Sequence, residues 1–204
     1  MSDEKWSVEV IDIPRDGSCF FTALALSINE SLELWQTVDP LYTMMKTYWR
    51  EYEKETGQEL QQVSANLVRF MCACNVDDLA IEFYNADIQQ IPKGKRVQSA
   101  RELQSHFLNK STWGDSVALY CFLKSLDFQC GVIILDPDLE GGIVALDKSW
   151  IKDKKLYIML VRRNYHYELV RLGGWGNKSG YPCLTRDTLI NALTDLNPRY
   201  ISVF

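Results

Sequence analysis

Helical spacing of apolar residues dominates the first two thirds of the chain, and short strand-like runs dominate the last third. Apolar residues recur at helical intervals over residues 31–55 and 60–75, and Pro40 divides the first of these stretches into two helices. The segment Val76–Ile88 continues the helical pattern. Because helices come mostly first and strands mostly last, the chain is predicted to have an α+β fold.

Two later helices have start signals of their own. Ser99 followed by Glu102 has capping-box spacing, which predicts a helix as far as Asn109. The next helix follows Trp113-Gly114-Asp115, and its apolar face is formed by Leu119, Phe122, Leu123 and Leu126. Both helices are therefore expected to pack against a core.

Short apolar runs indicate the strands. Alternation around Glu9 and Asp12 predicts a first strand, which Pro14 ends. The run from Gly131 to Leu135 has no polar residue, as expected of a strand covered on both faces. The remaining predicted elements are strands at Ile143–Leu146, Leu156–Val161 and Tyr165–Leu172, a loop at residues 173–180 and a final helix at Thr185–Leu196.

Composition and charge fit one globular domain. The chain has 204 residues, of which 47% are apolar, enough for a core without crosslinks. The net charge of −5 argues against a nucleic-acid partner, which requires a basic face. No apolar stretch approaches the ~20 residues of a membrane span, and the charged start of the chain is not a signal peptide. We expect a single domain over residues 1–204, monomeric and cytoplasmic.

The six cysteines show no disulfide or zinc pattern. They are Cys19, Cys72, Cys74, Cys121, Cys130 and Cys183. Only Cys72 and Cys74 are close in sequence, and their spacing is not that of a paired zinc-ligand motif. A domain of this size needs no crosslinks. We therefore expect reduced thiols and no metal, with five of the six cysteines filling the core.

Cys19 is the exception, because it opens a predicted helix directly after the turn Arg15–Ser18. A helix N-terminus favours a thiolate through its free N–H groups and its dipole. An ordinary thiol has a pKa near 8.5, and lowering it by two units takes about 2.7 kcal/mol, more than a helix dipole supplies. A nucleophile here therefore requires a cationic partner, which should be a histidine.

Only two histidines are available. His106 lies in the middle of a predicted helix, whereas His166 lies on a predicted strand. Glu168 follows two residues later and points to the same face of that strand as His166. A carboxylate there can orient the imidazole and stabilise its cation. The pattern favours His166 as the base. The alternative is that Cys19 and His166 only pack in the core and that Glu168 faces the solvent.

The turn before Cys19 can serve the same chemistry. Backbone N–H groups of Asp16-Gly17-Ser18-Cys19 can hold the oxyanion of a tetrahedral intermediate, at about 3 kcal/mol per donor. Gly17 permits the tight bend. Asp16 can brace the loop by accepting hydrogen bonds from the backbone.

Three motifs resemble those of the ovarian-tumour (OTU) family of cysteine deubiquitinases. The run Asp16-Gly17-Ser18-Cys19-Phe20-Phe21 is similar to the family's Asp-Gly-Asn-Cys signature with its two following bulky residues. Trp113-Gly114-Asp115 resembles the middle motif, and Tyr165-His166-Tyr167 resembles the histidine motif. The motifs occur in family order and span most of the chain.

The resemblance implies a papain-like α+β fold, with a central twisted sheet flanked by helices and no cofactor. It implies hydrolysis of the bond between the C-terminal glycine of ubiquitin, or of a ubiquitin-like modifier, and a lysine. Cys19 would be the nucleophile, His166 the base, and Glu168 or Asp16 the third catalytic member. Gly17 and Ser18 would belong to the oxyanion loop.

Other parts of the chain take expectations from the same resemblance. Trp113 and Tyr165 would line the groove for the Gly-Gly tail, with a core role as the alternative for Trp113. An inserted helical region, about residues 22–98, would grip the body of ubiquitin, and residues 181–204 form a helical extension. The compact domain resembles versions used by viruses and intracellular bacteria, which would place it in the host cytoplasm.

The sequence departs from the family pattern at three positions. Ser18 replaces the common asparagine, Ala118 lies where an acidic residue is frequent, and Glu168 replaces an asparagine or aspartate. Two other functions therefore remain open. One is a ubiquitin-binding module without turnover, and the other is a cysteine protease for a polyprotein or another peptide.

Overall fold

The computed structural model describes residues 6–87, 96–136, 143–144, 148–173 and 180–196. The helices are α1 (Cys19–Glu30), α2 (Leu32–Thr37), α3 (Leu41–Thr56), α4 (Ala65–Cys74), α5 (Asp78–Asp87), α6 (Ala100–Leu108), α7 (Ser116–Ser125) and α8 (Arg186–Leu196). The strands are β1 (Ser7–Ile11), β2 (Cys130–Leu135), β3 (Ile143–Val144), β4 (Leu156–Arg163), β5 (His166–Gly173) and β6 (Cys183–Thr185). A 3-10 turn spans Lys148–Trp150.

The strands form one mixed sheet in the order β1-β5-β4-β2-β3, and β6 also pairs with β4. β2 and β4 run parallel, while the other pairs are antiparallel. Continuous apolar sequence in β2 and β4 agrees with their central positions, because both faces of these strands are covered.

Alternation along β4 separates two cores. Leu156, Ile158 and Leu160 face the larger core, which also contains the buried sides of α1, α3, α4, α6 and α7. Tyr157, Met159 and Val161 face a smaller core that α8 covers through Leu189 and Leu193. The helices precede most of the strands, so the α+β prediction is confirmed.

Helix starts follow their capping residues. Ser99 accepts a hydrogen bond from the amide of Glu102, and the Glu102 carboxylate accepts one from the amide of Gln98. Asp115 caps α7 by accepting from the amide of Ala118 at 2.8 Å. Both predicted helix starts are confirmed, because each cap satisfies an N–H group that the first helical turn leaves free.

The sequence prediction differed from the structure mainly at element ends. The first strand ends at Ile11, and Ile13 is buried outside it. Gly173, predicted in a loop, is the last residue of β5. The short strand β6 was not predicted, since three residues carry too little pattern. Residues 88–95, 145–146, 174–179 and 197–204 of the predicted elements and regions lie outside the described residues.

Among the helices described, none combines the length and the apolar character that crossing a membrane requires.

Candidate active site

The loop before α1 contains a hydrogen bond from its own backbone to the side chain of Asp16. Cys19 is the first residue of α1, and only 2% of its surface is exposed. Gly17 has φ of +82°, a left-handed conformation that favours glycine. The Asp16 carboxylate accepts a hydrogen bond from the amide of Ser18 at 2.9 Å. Asp16 therefore braces the loop in the manner predicted for it.

Ser18 turns its hydroxyl away from the helix that follows. No side-chain cap bond joins Ser18 to α1. Its Oγ instead accepts a hydrogen bond from the guanidinium of Arg69 at 3.1 Å and lies 3.5 Å from the carbonyl of Lys110. Ser18, which stands where the OTU pattern usually has an asparagine, therefore forms hydrogen bonds with Arg69 and Lys110.

All three sequence motifs meet at Phe20. A Cβ added to Gly114 would lie 2.3 Å from the Phe20 ring, so only glycine fits there. The rings of Phe20 and Tyr167 also make an edge-to-face contact, with their centroids 5.1 Å apart. Since Phe20 follows Cys19 and Tyr167 follows His166, this contact joins the start of α1 to the start of β5.

His166 begins β5 immediately after a tight hairpin. Arg163 and His166 pair across the hairpin, so Asn164 and Tyr165 form its two-residue loop. Both have positive φ, 50° and 61°. This turn type favours glycine at its second position, so Tyr165 is an unusual residue there.

The His166 ring is buried without hydrogen bonds. The residue is 2% exposed, and neither Nδ1 nor Nε2 has a hydrogen-bond partner in the described part of the chain. Leaving a buried polar atom unpaired costs about 1–3 kcal/mol, so such atoms call for an explanation. The free nitrogens are explained if the ring exchanges a proton first with a nucleophile and then with a substrate.

Two carboxylates lie near this imidazole. Asp12 Oδ1 is 3.9 Å from His166 Nε2. Glu168, the predicted neighbour on the same strand face, has its carboxylate within 4.8 Å of both. Glu168 is 9% exposed and its Oε2 is 3.8 Å from Arg163. The three groups offer enough ligands for a metal ion, and their arrangement equally stabilises an imidazolium.

Asp12 was not identified by the sequence analysis as a functional residue. β1 pairs antiparallel with β5, and Ile11 lies opposite Leu169. Extending this antiparallel register by one residue places Asp12 opposite Glu168. No local sequence signal marks this position, because the pairing joins segments more than 150 residues apart.

Arg69 was also missed, although it interrupts an apolar run on α4. The side chain is 1% exposed and contacts the cysteine loop through the Gly17 carbonyl and the Ser18 hydroxyl. A single charge among Leu67, Val68, Phe70 and Met71 was the available signal, since charged residues are rarely buried without a reason.

The other five cysteines are poor nucleophiles. Burial raises the pKa of Cys72 and Cys130 well above the ordinary value. It also raises the pKa of Cys121 to about 12 and that of Cys183 to about 11. Cys74 is exposed, yet partial desolvation and the carboxylates of Glu55 and Glu51 raise its pKa to about 11. These thiols therefore stay protonated at neutral pH.

His106 belongs to the packing of α6. Its ring meets Tyr84 edge-on at 5.1 Å, and Nε2 lies 3.5 Å from the tyrosine hydroxyl. Burial, and then the charge of Arg69, lower the pKa of His106, so this ring is neutral near pH 7. A neutral imidazole cannot supply the cation that a thiolate needs.

The two aromatic groove candidates are exposed. Trp113 is 53% exposed and Tyr165 is 78% exposed, so neither is a core residue. The indole Nε1 of Trp113 would lie 3.5 Å from a Cβ added to Gly17. Trp113 therefore packs against the cysteine loop with much of its ring open to solvent. Ala118, which lies where the OTU pattern frequently has an acidic residue, is fully buried.

Comparison with known proteins identifies the fold. No family model matches the sequence, and no curated protein matches it significantly. An OTU domain in complex with ubiquitin has a similar structure, with a TM-score of 0.57 at 14% identity over 97% of this chain and 85% of that one. The ceOTUB1 structure with ubiquitin aldehyde and UBC13~Ub gives 0.51 at 13% identity, covering 80% of this chain and 79% of that one.

These likenesses span 97% and 80% of the chain, at sequence identities of only 14% and 13%. The cysteine, middle and histidine motifs, which occur in OTU order, meet at one ring in the structure. The chain has the fold of an OTU domain.

Proposed function

We propose that the protein is a cysteine isopeptidase that cleaves the bond between the C-terminal glycine of ubiquitin, or of a ubiquitin-like modifier, and a lysine. The observation that carries this proposal is the buried His166 ring, whose two nitrogens have no hydrogen-bond partner among the described residues and which has two carboxylates beside it. Support also comes from Cys19, which starts the helix that packs on the histidine strand through Phe20 and Tyr167.

The reaction follows from these groups. His166 takes the proton of Cys19, and the thiolate attacks the glycine carbonyl carbon to form a tetrahedral oxyanion. The imidazolium then protonates the lysine nitrogen as the C–N bond breaks, which leaves a thioester on Cys19. Water, deprotonated by His166, hydrolyses the thioester and restores the thiol.

Asp12 and Glu168 share the role of the third member in this proposal. Each carboxylate stabilises the imidazolium, one from the exposed edge at 3.9 Å and the other from a nearly buried position. Asp16 acts differently, because its carboxylate is bonded to the Ser18 amide. This arrangement supports a loop-bracing role for Asp16 and a role beside His166 for the other two carboxylates.

The hydrogen bond between the Ser18 amide and Asp16 reduces the number of candidate oxyanion donors. Since the Ser18 N–H is donated to Asp16, the amides of Gly17 and Cys19 are the better candidates for the oxyanion. Trp113 and Tyr165 would flank the Gly-Gly tail, because both rings are exposed beside the loop and the histidine. The helical region of about residues 22–98 would contact the body of the modifier.

The test is a reaction with ubiquitin that carries an electrophile at its C-terminus, read by intact mass. The wild type should gain one ubiquitin. Cys19→Ala and His166→Ala should gain none within the same time. Cys74→Ala is the matched control, because it removes an exposed thiol elsewhere and should react like the wild type.

The alternatives give different results. A folded wild type that binds ubiquitin without forming the adduct would be a binding module. Cleavage of generic peptides with no reaction at the Gly-Gly tail would indicate a peptide protease. Both outcomes would contradict the proposed isopeptidase.

A further inference from the structure

Arg69 is a buried cation whose surroundings contain mostly carbonyl groups. Its Nη1 donates to the carbonyls of Phe107 and Asn109 at 3.1 and 3.0 Å. Its Nη2 lies within hydrogen-bond distance of four acceptors, which are the carbonyls of Gly17, Lys110 and Thr112 and the hydroxyl of Ser18. One guanidinium thus ties the cysteine loop to the segment that leads into Trp113.

The charge of Arg69 has no close counterion among the described residues. The ion pairs found among the described residues involve other cations, and the Asp16 carboxylate acts on the Arg69 guanidinium only from a longer distance. The Phe21 ring lies 4.0 Å from the guanidinium carbon and covers one face. A buried charge is costly unless an opposite charge offsets it, and an unpaired one next to a nucleophile calls for a role.

Arg69 also controls one peptide plane of the cysteine loop. It holds the Gly17 carbonyl at 3.4 Å, while Asp16 holds the N–H of Ser18 at the other end of the same peptide. Glycine reaches positive and negative φ with similar ease, so the Gly17–Ser18 peptide could otherwise flip. A flip would break the bond between the Ser18 N–H and Asp16 and would turn the Gly17 carbonyl to the side where that N–H now points.

We propose that Arg69 is a positioning residue for Cys19, which fixes the orientation of the cysteine loop through its hydrogen bonds and favours the thiolate through its positive charge. The inference rests on the proposed function, in which Cys19 is the nucleophile. Lysine would not replace arginine fully, since one ammonium cannot reach carbonyls on two segments in the way a planar fork can.

The experiment compares R69M and R69K with the wild type by two readouts. The first is the pH dependence of Cys19 alkylation by iodoacetamide, mapped by peptide mass, which needs no ubiquitin. The second is kcat and KM on a ubiquitin C-terminal fluorogenic amide. R171M is the matched control, because Arg171 forms surface ion pairs with Glu30 and Glu9.

R69M should alkylate at least about tenfold more slowly at pH 7, with its pH midpoint moved upward, because the thiolate loses a nearby positive charge. Its kcat should fall about 10²-fold with KM within about twofold, since the loop acts on the transition state. R69K keeps the charge, so its midpoint should stay closer to that of the wild type while kcat falls. R171M should match the wild type in both readouts.

A folded R69M with the wild-type alkylation profile and kcat would overturn the inference. If R69M does not fold, R69K decides, and a wild-type kcat in R69K would overturn the positioning role. Failure of the proposed function is distinguishable. A wild type that ignores the ubiquitin substrate while R69M still shifts the alkylation midpoint would refute the isopeptidase and support the role of Arg69.

Discussion

Cys19 at the start of α1 and Cys183 at the start of β6 are both buried, and their surroundings differ in charge. Cys183 Sγ accepts hydrogen bonds from the Trp35 indole at 3.3 Å and from the Ser27 hydroxyl at 3.8 Å, and burial raises its pKa to about 11. Cys19 follows a loop that Arg69 holds, on a helix that packs against the histidine strand.

The difference teaches that burial by itself produces an inert thiol. Low polarity disfavours every charged form, so a buried thiolate requires cations arranged around it. Around Cys183 the nearest polar groups are neutral donors. The loop before Cys19 is bonded to a guanidinium, and the strand that its helix contacts begins with an imidazole flanked by two carboxylates. Among the described residues, neither nitrogen of that imidazole has a hydrogen-bond partner.

The largest expected effect is a difference in thiol reactivity. A thiol with a pKa of about 11 is only about 10⁻⁴ ionised at pH 7. With limiting iodoacetamide at pH 7, Cys19 should be alkylated at least about 100-fold faster than Cys183, as measured by peptide mass mapping. Cys74 controls for access, because it is exposed and its pKa is also about 11. Faster labelling of Cys74 would contradict the comparison.

The second effect is on stability at Cys183. Cys183→Ala removes the acceptor of the fully buried Trp35 indole and should lower the free energy of unfolding by about 1–3 kcal/mol. Urea unfolding measures it. Cys130→Ala is the matched control, since Cys130 is equally buried and its loss removes mainly packing. Equal destabilisation of the two variants would refute a structural role for the indole bond. Adduct formation with ubiquitin should persist in both.

A third test separates the two carboxylates at His166. Asp12→Asn and Glu168→Gln should each lower kcat by about tenfold or less, because either carboxylate still supports the imidazolium in the absence of the other. The double variant should lose more than the product of the single losses. Only the Asp12 effect should shrink in high salt, because this side chain is 89% exposed. Simple additivity would argue against a shared role.

The smallest effect probes how far the charge of Arg69 reaches. Burial, and then Arg69, lower the pKa of His106 in the folded protein. Below the unfolded pKa of about 6.5 the unfolded chain therefore binds more protons. The contribution of His106 to stability is present above that pH and is lost as pH falls through the folded pKa.

The urea concentration at the unfolding midpoint should consequently decrease as the pH is lowered from 7.5 to 5.5. The variant His106→Gln should show a weaker dependence on pH. Identical pH profiles for the variant and the wild type would show that other groups cause the decline.

The sequence by itself determined the order of elements and the three motifs. Helical and strand periods, the Ser99 and Asp115 caps and the run Gly131–Leu135 are local signals, and each predicted its element within a few residues. Cys19, His166 and Glu168 were found in the same way, because a helix start and a strand face can be read from neighbours in sequence.

Only the tertiary structure decided what surrounds those residues. Asp12 reaches His166 through the register of β1 on β5, and Arg69 reaches the cysteine loop from a helix some fifty residues further along the chain. The use of the Ser18 amide by Asp16, which narrows the oxyanion donors, depends on one peptide orientation. The contacts of Asp12 and Arg69 join distant segments, and a local sequence pattern carries no information on the distances between such segments.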